Sequence, residues 1–285
     1  MLEEILSIGT EDDNLIFQWV GITTDVEGNI YITDLKDYSI KKFNEKGEFI
    51  KKSGRRGQGP GEFQSPGILR YYKGYLFVAE IQHRGIQVFD TNLNFKFKIP
   101  IDIPVSDFEL IDKDKIAITT INENCILIYD YKGKRKEKIK YAEDKRMMLN
   151  TVTFKINNDN YFLAFQWKDI IVRLNKNGQK IWTKNLLNIK KIKIKKTGFF
   201  NIPVNIVYKT IEIDSKGNIF ILGGHLSKHK SRDVYVLSKS GKYLTTIILP
   251  EPTHTIYIDN KNYLYSRSAM GICIKKYKLR YMENN

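Results

Sequence analysis

Four histidines, His83, His225, His229 and His254, are the side chains best suited to metal or proton chemistry. Imidazole nitrogens bind zinc, and zinc would polarise a substrate or activate a water. His225 and His229 lie four apart, which suits one face of a helix. The stretch around them, GGHLSKHKSRD, reads instead as a basic loop with a tight glycine turn. No HxH or HxxEH pattern occurs. No cofactor is therefore predicted. Zinc on His83, His225, His229 and His254, or calcium on backbone and Asp/Asn oxygens, stays open.

Anion chemistry has more candidates. Arg55, Arg56, Arg84, Lys168, Lys228, Arg232 and Arg267 all fall in segments punctuated by Gly, Asn, Asp and Ser. Trp167, beside Phe165 and Lys168, could stack on a base or a sugar, or pack against its neighbours. Five lysines between Lys190 and Lys196 alternate with isoleucines, as on an edge strand protected by charge. The Gly54–Gly67 stretch is glycine-rich but lacks the Lys-Ser/Thr and following helix of a phosphate loop. Its glycines serve turns. Close carboxylates such as Asp34 and Asp37 read as turn formers before they read as an acid–base pair. No nucleophile elbow or EF-hand loop is present.

Composition bounds the setting. The chain has 285 residues, 42% hydrophobic and 12% aromatic, enough for a large core. A net charge of +15 suits an anionic partner, nucleic acid included, although a lysine-rich composition alone would also give it. Cys125 and Cys273 make no disulfide framework and read as small buried residues. No apolar run is long enough to span a membrane. The N-terminus MLEEILSIGT lacks the marks of a signal peptide, which leaves a cytoplasmic location or a trimmed signal.

One unit recurs six times and must position these residues. It is a turn, an alternating apolar run, a short polar loop, a second alternating run and another turn. Equivalent strands start at Ile30, Leu76, Ile116, Tyr161, Ile219 and Tyr263. The period of roughly 40–57 residues is that of propeller blades. The expected fold is all-β, a single six-bladed β-propeller with four-stranded antiparallel blades at about 19–54, 66–98, 105–140, 148–186, 206–249 and 252–279. The last unit lacks a fourth strand, while residues 2–9 resemble the fourth strand of the first. The N-terminal strand is therefore expected to close the last blade and hide its edge.

Gly57-Gln58-Gly59-Pro60-Gly61-Glu62-Phe63, followed by Leu76–Glu80 and Ile86–Asp90, resembles an NHL repeat. The chain is similar to bacterial six-bladed propellers carrying a "GxGPGEF" turn. That resemblance implies a central channel, with inter-blade and intra-blade loops gathered at one mouth. It also favours an exported protein if a signal has been trimmed. It implies no single function, because members include binding modules, nucleic-acid binders and metal-dependent lyases. The leading expectation is a monomeric, non-enzymatic module whose basic loop face takes a protein or another anionic ligand. The candidate residues are Arg55, Arg56, His83, Arg84, Trp167, Lys168, His225, Lys228, His229, Arg232 and Arg267. The alternative is a lyase or hydrolase with a metal at the channel.

Overall fold

In a computed structural model the chain forms six four-stranded antiparallel sheets and one separate hairpin. The structure describes residues 2–9, 21–80, 84–112, 114–121, 123–142, 147–197, 200–269 and 273–279. His83 and Trp19 lie outside them.

Strand order within each sheet follows the sequence, except in the sixth. There Leu2–Ile8 supplies the outermost strand and pairs with Ile274–Leu279. The ring is thus closed by the two ends of the chain, as expected. Closure covers a sheet edge that would otherwise be open to pairing with other chains.

Local chemistry explains why each blade turns where it does. After the inner strand of blade one, the Asp25 carboxylate accepts the backbone N–H groups of Glu27, Gly28 and Asn29. Gly28 adopts φ +96°, which a side chain would resist. Asp214 and Asp259 repeat the device after the inner strands of blades five and six. Such side chain–backbone bonds fix the turn and with it the strand register.

Alternation then sorts the side chains. Inner-sheet residues pack between neighbouring blades: Phe77, Ile86 and Val88 of blade two meet Phe108, Ile118 and Leu127 of blade three. Phe154 and Leu163 of blade four meet Ile126 and Ile128 of blade three. Cys125 belongs to this buried core, Cys273 is half-buried, and both are free thiols.

The lysine-rich segment after blade four differs from the expected single edge strand. Ile194–Thr197 pairs with Phe200–Pro203 in its own two-stranded hairpin, outside the blades. Its partner is its own chain reversal rather than a blade edge, and of the five lysines only Lys195 and Lys196 lie on it.

Candidate functional site

The innermost strands, Ile22–Thr24, Pro66–Tyr72, Asp107–Leu110, Val152–Asn157, Tyr208–Ile213 and Thr253–Ile258, surround a cavity of about 590 Å³ on the axis of the ring. Each strand aims alternate residues into it, so the cavity is built in tiers.

The deepest tier is defined by cross-strand register. Thr23, Arg70, Glu109, Lys155, Glu212 and Tyr257 stand opposite Tyr31, Phe77, Ala117, Phe162, Phe220 and Tyr265, one per blade. Four of the six are charged, and their signs alternate around the ring. Arg70 donates to Glu109 at 2.6 Å and to Asp107 at 2.9 Å. Lys155 bridges Glu109 at 2.8 Å and Glu212 at 3.2 Å. Across the remaining gap the Tyr257 hydroxyl accepts the Thr24 N–H at 3.3 Å.

Charge counting predicts a misfit. Two cations, Arg70 and Lys155, face three carboxylates, Asp107, Glu109 and Glu212. Asp107 and Glu212 are both pushed up, first by burial. Glu212 reaches about 7. Arg70 and Lys155 instead hold Glu109 below the usual range against its burial. A proton on Glu212 neutralises the surplus charge.

The rim is set by irregularities in the inner strands. Register shifts fall between Pro66 and Ile68, between Tyr208 and Thr210, and between Thr253 and Thr255. The extra residues are Gly67, Lys209 and His254, at equivalent positions of blades two, five and six, and all three line the cavity. A bulge re-aims a side chain and is frequent beside functional sites. Here it points an ammonium and an imidazole into the same mouth. Arg267, opposite Thr255 on the adjoining strand, lines the same wall. His225 adjoins Lys209, and its Nδ1 accepts the Ile206 N–H at 3.3 Å.

These groups raise one another's cost of carrying charge. Burial pulls Lys209 down to about 8, and Arg267 adds to it. The His254 ring is open to the channel, yet the surrounding wall, Arg267, Lys209 and His225 push it down to about 4. His225 is also lowered, by burial and by Lys209. Burial lowers Arg267, with Asp34 acting in the opposite sense. Asp34 is itself engaged by Lys41 at 2.5 Å. Lys209 donates to the Thr253 carbonyl at 2.7 Å, a neutral acceptor that fixes the ammonium without cancelling its charge. The result is a concave basic pocket walled by low-dielectric protein, where positive potential is focused.

Of the residues singled out in the sequence, the structure brings together His225, His254 and Arg267. The other described ones are placed elsewhere. Arg55 pairs with Glu62 at 2.7 Å on an exposed turn. Arg56 lies over the Tyr38 ring. Arg84 opens the third strand of blade two. Lys168 donates to Asn150 at 2.7 Å beside half-buried Trp167. Lys228 is exposed, and Arg232 donates to the Leu249 carbonyl at 2.7 Å. His229 bonds through Nδ1 to Asp233 at 2.6 Å, within its own loop. The four-residue spacing of His225 and His229 therefore creates no shared site. Among the described residues no group of three His, Cys, Asp or Glu side chains is arranged to hold a metal.

Lys209 and the charged ring were not singled out in the sequence. Lys209 looks like any outward residue of an alternating strand, because a bulge leaves no mark in composition. The ring had a usable signal: Arg70, Glu109, Lys155 and Glu212 each stand six or seven residues before an equivalent strand start.

Comparison with known proteins agrees with this architecture. A family model described as a 6-bladed beta-propeller, DUF5128, matches residues 3–67. No curated protein matches the chain. A protein of unknown function from Bacteroides thetaiotaomicron has a similar structure, with 12% identity, a TM-score of 0.67, and coverage of 97% of this chain and 75% of that one. A streptogramin B lyase aligns at 13% identity and TM-score 0.64, over 98% of each chain. Virginiamycin B lyase from Staphylococcus aureus aligns at 13% identity and TM-score 0.60, over 98% of this chain and 99% of that one. The chain is a six-bladed β-propeller. At these identities the likeness to the lyases is one of fold.

Proposed function

We propose that this propeller is a recognition module that binds a small anionic ligand at the basic mouth of its channel. The observation that carries the reading is the convergence of Lys209, His254 and Arg267 on one wall, two of them aimed there by bulges. A bound carboxylate or phosphate would offset the repulsion between Lys209 and Arg267 and gain charge-assisted hydrogen bonds, with the His254 ring, neutral at pH 7, as a further hydrogen-bonding group. Pre-arranged donors of this kind discriminate by charge without needing a chemical step.

The pocket's position favours a small ligand over a macromolecule. It lies on the ring axis, enclosed by inner strands, and its floor is the charged ring. Nucleic-acid binding would centre on Arg55, Arg56, Arg84 and the Gly223–Asp233 loop, and two of these are engaged within the chain, Arg55 with Glu62 and Arg56 over the Tyr38 ring. A lyase reading has two similar folds behind it, but among the described residues no three His, Cys, Asp or Glu side chains are grouped to hold a metal.

Calorimetric titration with inorganic sulfate at low salt tests the reading. Binding of about one ion per chain, weakened by added chloride, is the expected result. No binding to sulfate, with steeply salt-dependent binding of single-stranded DNA instead, would overturn it.

A further inference from the structure

We propose that the anion is polyhydroxylated, a sugar acid or a sugar phosphate, held by charge at the rim and by hydroxyl groups beneath it. This rests on the anion reading above and adds the class of ligand.

The carrying observation is the tier between the rim and the charged ring. Thr153, Thr210 and Thr255 occupy equivalent inward positions of blades four, five and six, and all line the cavity. Gln166 lines the same wall, and Ser106 lines it from blade three. Much of the aliphatic lining turns away: the side chains of Ile22, Val152 and Ile256 are buried in the inter-blade cores. Ile68 and Ile206 are half-buried and offer an apolar surface for the face of a sugar ring.

Such a wall discriminates by hydrogen bonding. Thr153 and Thr255 donate their protons to Asp107 and to the Ile256 carbonyl and keep lone pairs for a ligand hydroxyl, while Thr210 accepts the Ile256 N–H and keeps its proton to give, so the wall suits a ligand whose own groups do both. An alkyl chain in the same place would strip water from them and return no bond, which is costly. Below, Tyr257 and the carboxyl of Glu212 add further polar contacts at the floor. Size agrees: about 590 Å³ lies within the range of roughly 300–1,000 Å³ typical of small-molecule sites. That volume suits one or two sugar rings with water.

The test compares four probes on the intact chain by calorimetry: D-glucuronate, glucose 6-phosphate, D-glucose and hexanoate. At least one of the two sugar anions is expected to bind about tenfold or more tighter than hexanoate, and D-glucose weakly. Gln166→Leu and Thr255→Val are expected to weaken the sugar anion severalfold each and leave hexanoate unchanged. Thermal unfolding of both variants checks that they fold. Hexanoate binding as tightly as the sugar anions would overturn the polyhydroxylated class and leave the anion reading standing. Glucose binding as tightly as glucuronate, or no binding by any of the three anions, would overturn both.

Discussion

Replacement of Arg70 by methionine is expected to lower the stability of the fold by about 3–5 kcal/mol in urea unfolding. Arg70 holds two carboxylates at once, Asp107 and Glu109, and all three side chains are largely buried. Methionine retains most of the volume and removes the charge. Three carboxylates would then face Lys155 alone, and taking up protons to relieve them carries the cost. A loss below about 1 kcal/mol would show that the ring contributes little beyond its packing. The same ring makes stability depend on pH. Glu212 titrates near 7 when folded, above its ordinary 4.5, so the folded chain keeps a proton that the unfolded chain releases. Stability from this group is complete below about 4.5 and is lost as pH rises through 7. Glu212→Gln removes the surplus carboxyl and leaves Asp107 and Glu109 to Arg70 and Lys155. It should remove a decline of about 3 kcal/mol between those limits. An unchanged pH profile in that variant would contradict the charge count.

Lys209→Met should weaken binding of the anion by about 10–100-fold, the worth of one hydrogen bond to a charged group. The effect should vanish at high pH in a defined way. Lys209 loses its proton near 8, well below its ordinary 10.5, so wild-type affinity should fall as pH rises through 8. Affinity of the variant should be flat there. Stability moves the other way. Between about 8 and 10.5 the unfolded chain carries a proton that the empty folded chain lacks, so the ligand-free protein gains stability with rising pH. The variant loses that gain and keeps the fold. Equal affinities of variant and wild type at pH 7, measured by calorimetry, would remove Lys209 from the site.

The architecture was legible because each blade writes its turns in the sequence. Asp25, Asp214 and Asp259, each followed by Gly or Asn, mark the same turn, and their carboxylates do bind the backbone there. Residues 2–9 could be matched to the missing strand because edge pairing needs only alternation and length. The site was legible only in part. Arg267, His225 and His254 stood out as scarce or basic residues near predicted loops. Lys209 did not, since its aim depends on a bulge that one inserted residue creates and alternation conceals. Arg70, Glu109, Lys155 and Glu212 each look like ordinary polar strand positions. They acquire meaning only when six repeats place them at one height around a common axis. His229 illustrates the converse: it has the right residue type and spacing, but Asp233 holds it in its own loop.

The most direct test of a basic pocket at the channel mouth is the titration of His254, followed by NMR in ligand-free and sulfate-saturated protein. His254 should titrate near 4 when the pocket is empty, because the wall and three basic neighbours oppose its charging. A bound anion reverses that balance and should move its midpoint upward by a unit or more, about 1.4 kcal/mol of favourable interaction. A His254 midpoint near the ordinary 6.5 in the empty protein, unmoved by the anion, would contradict the account.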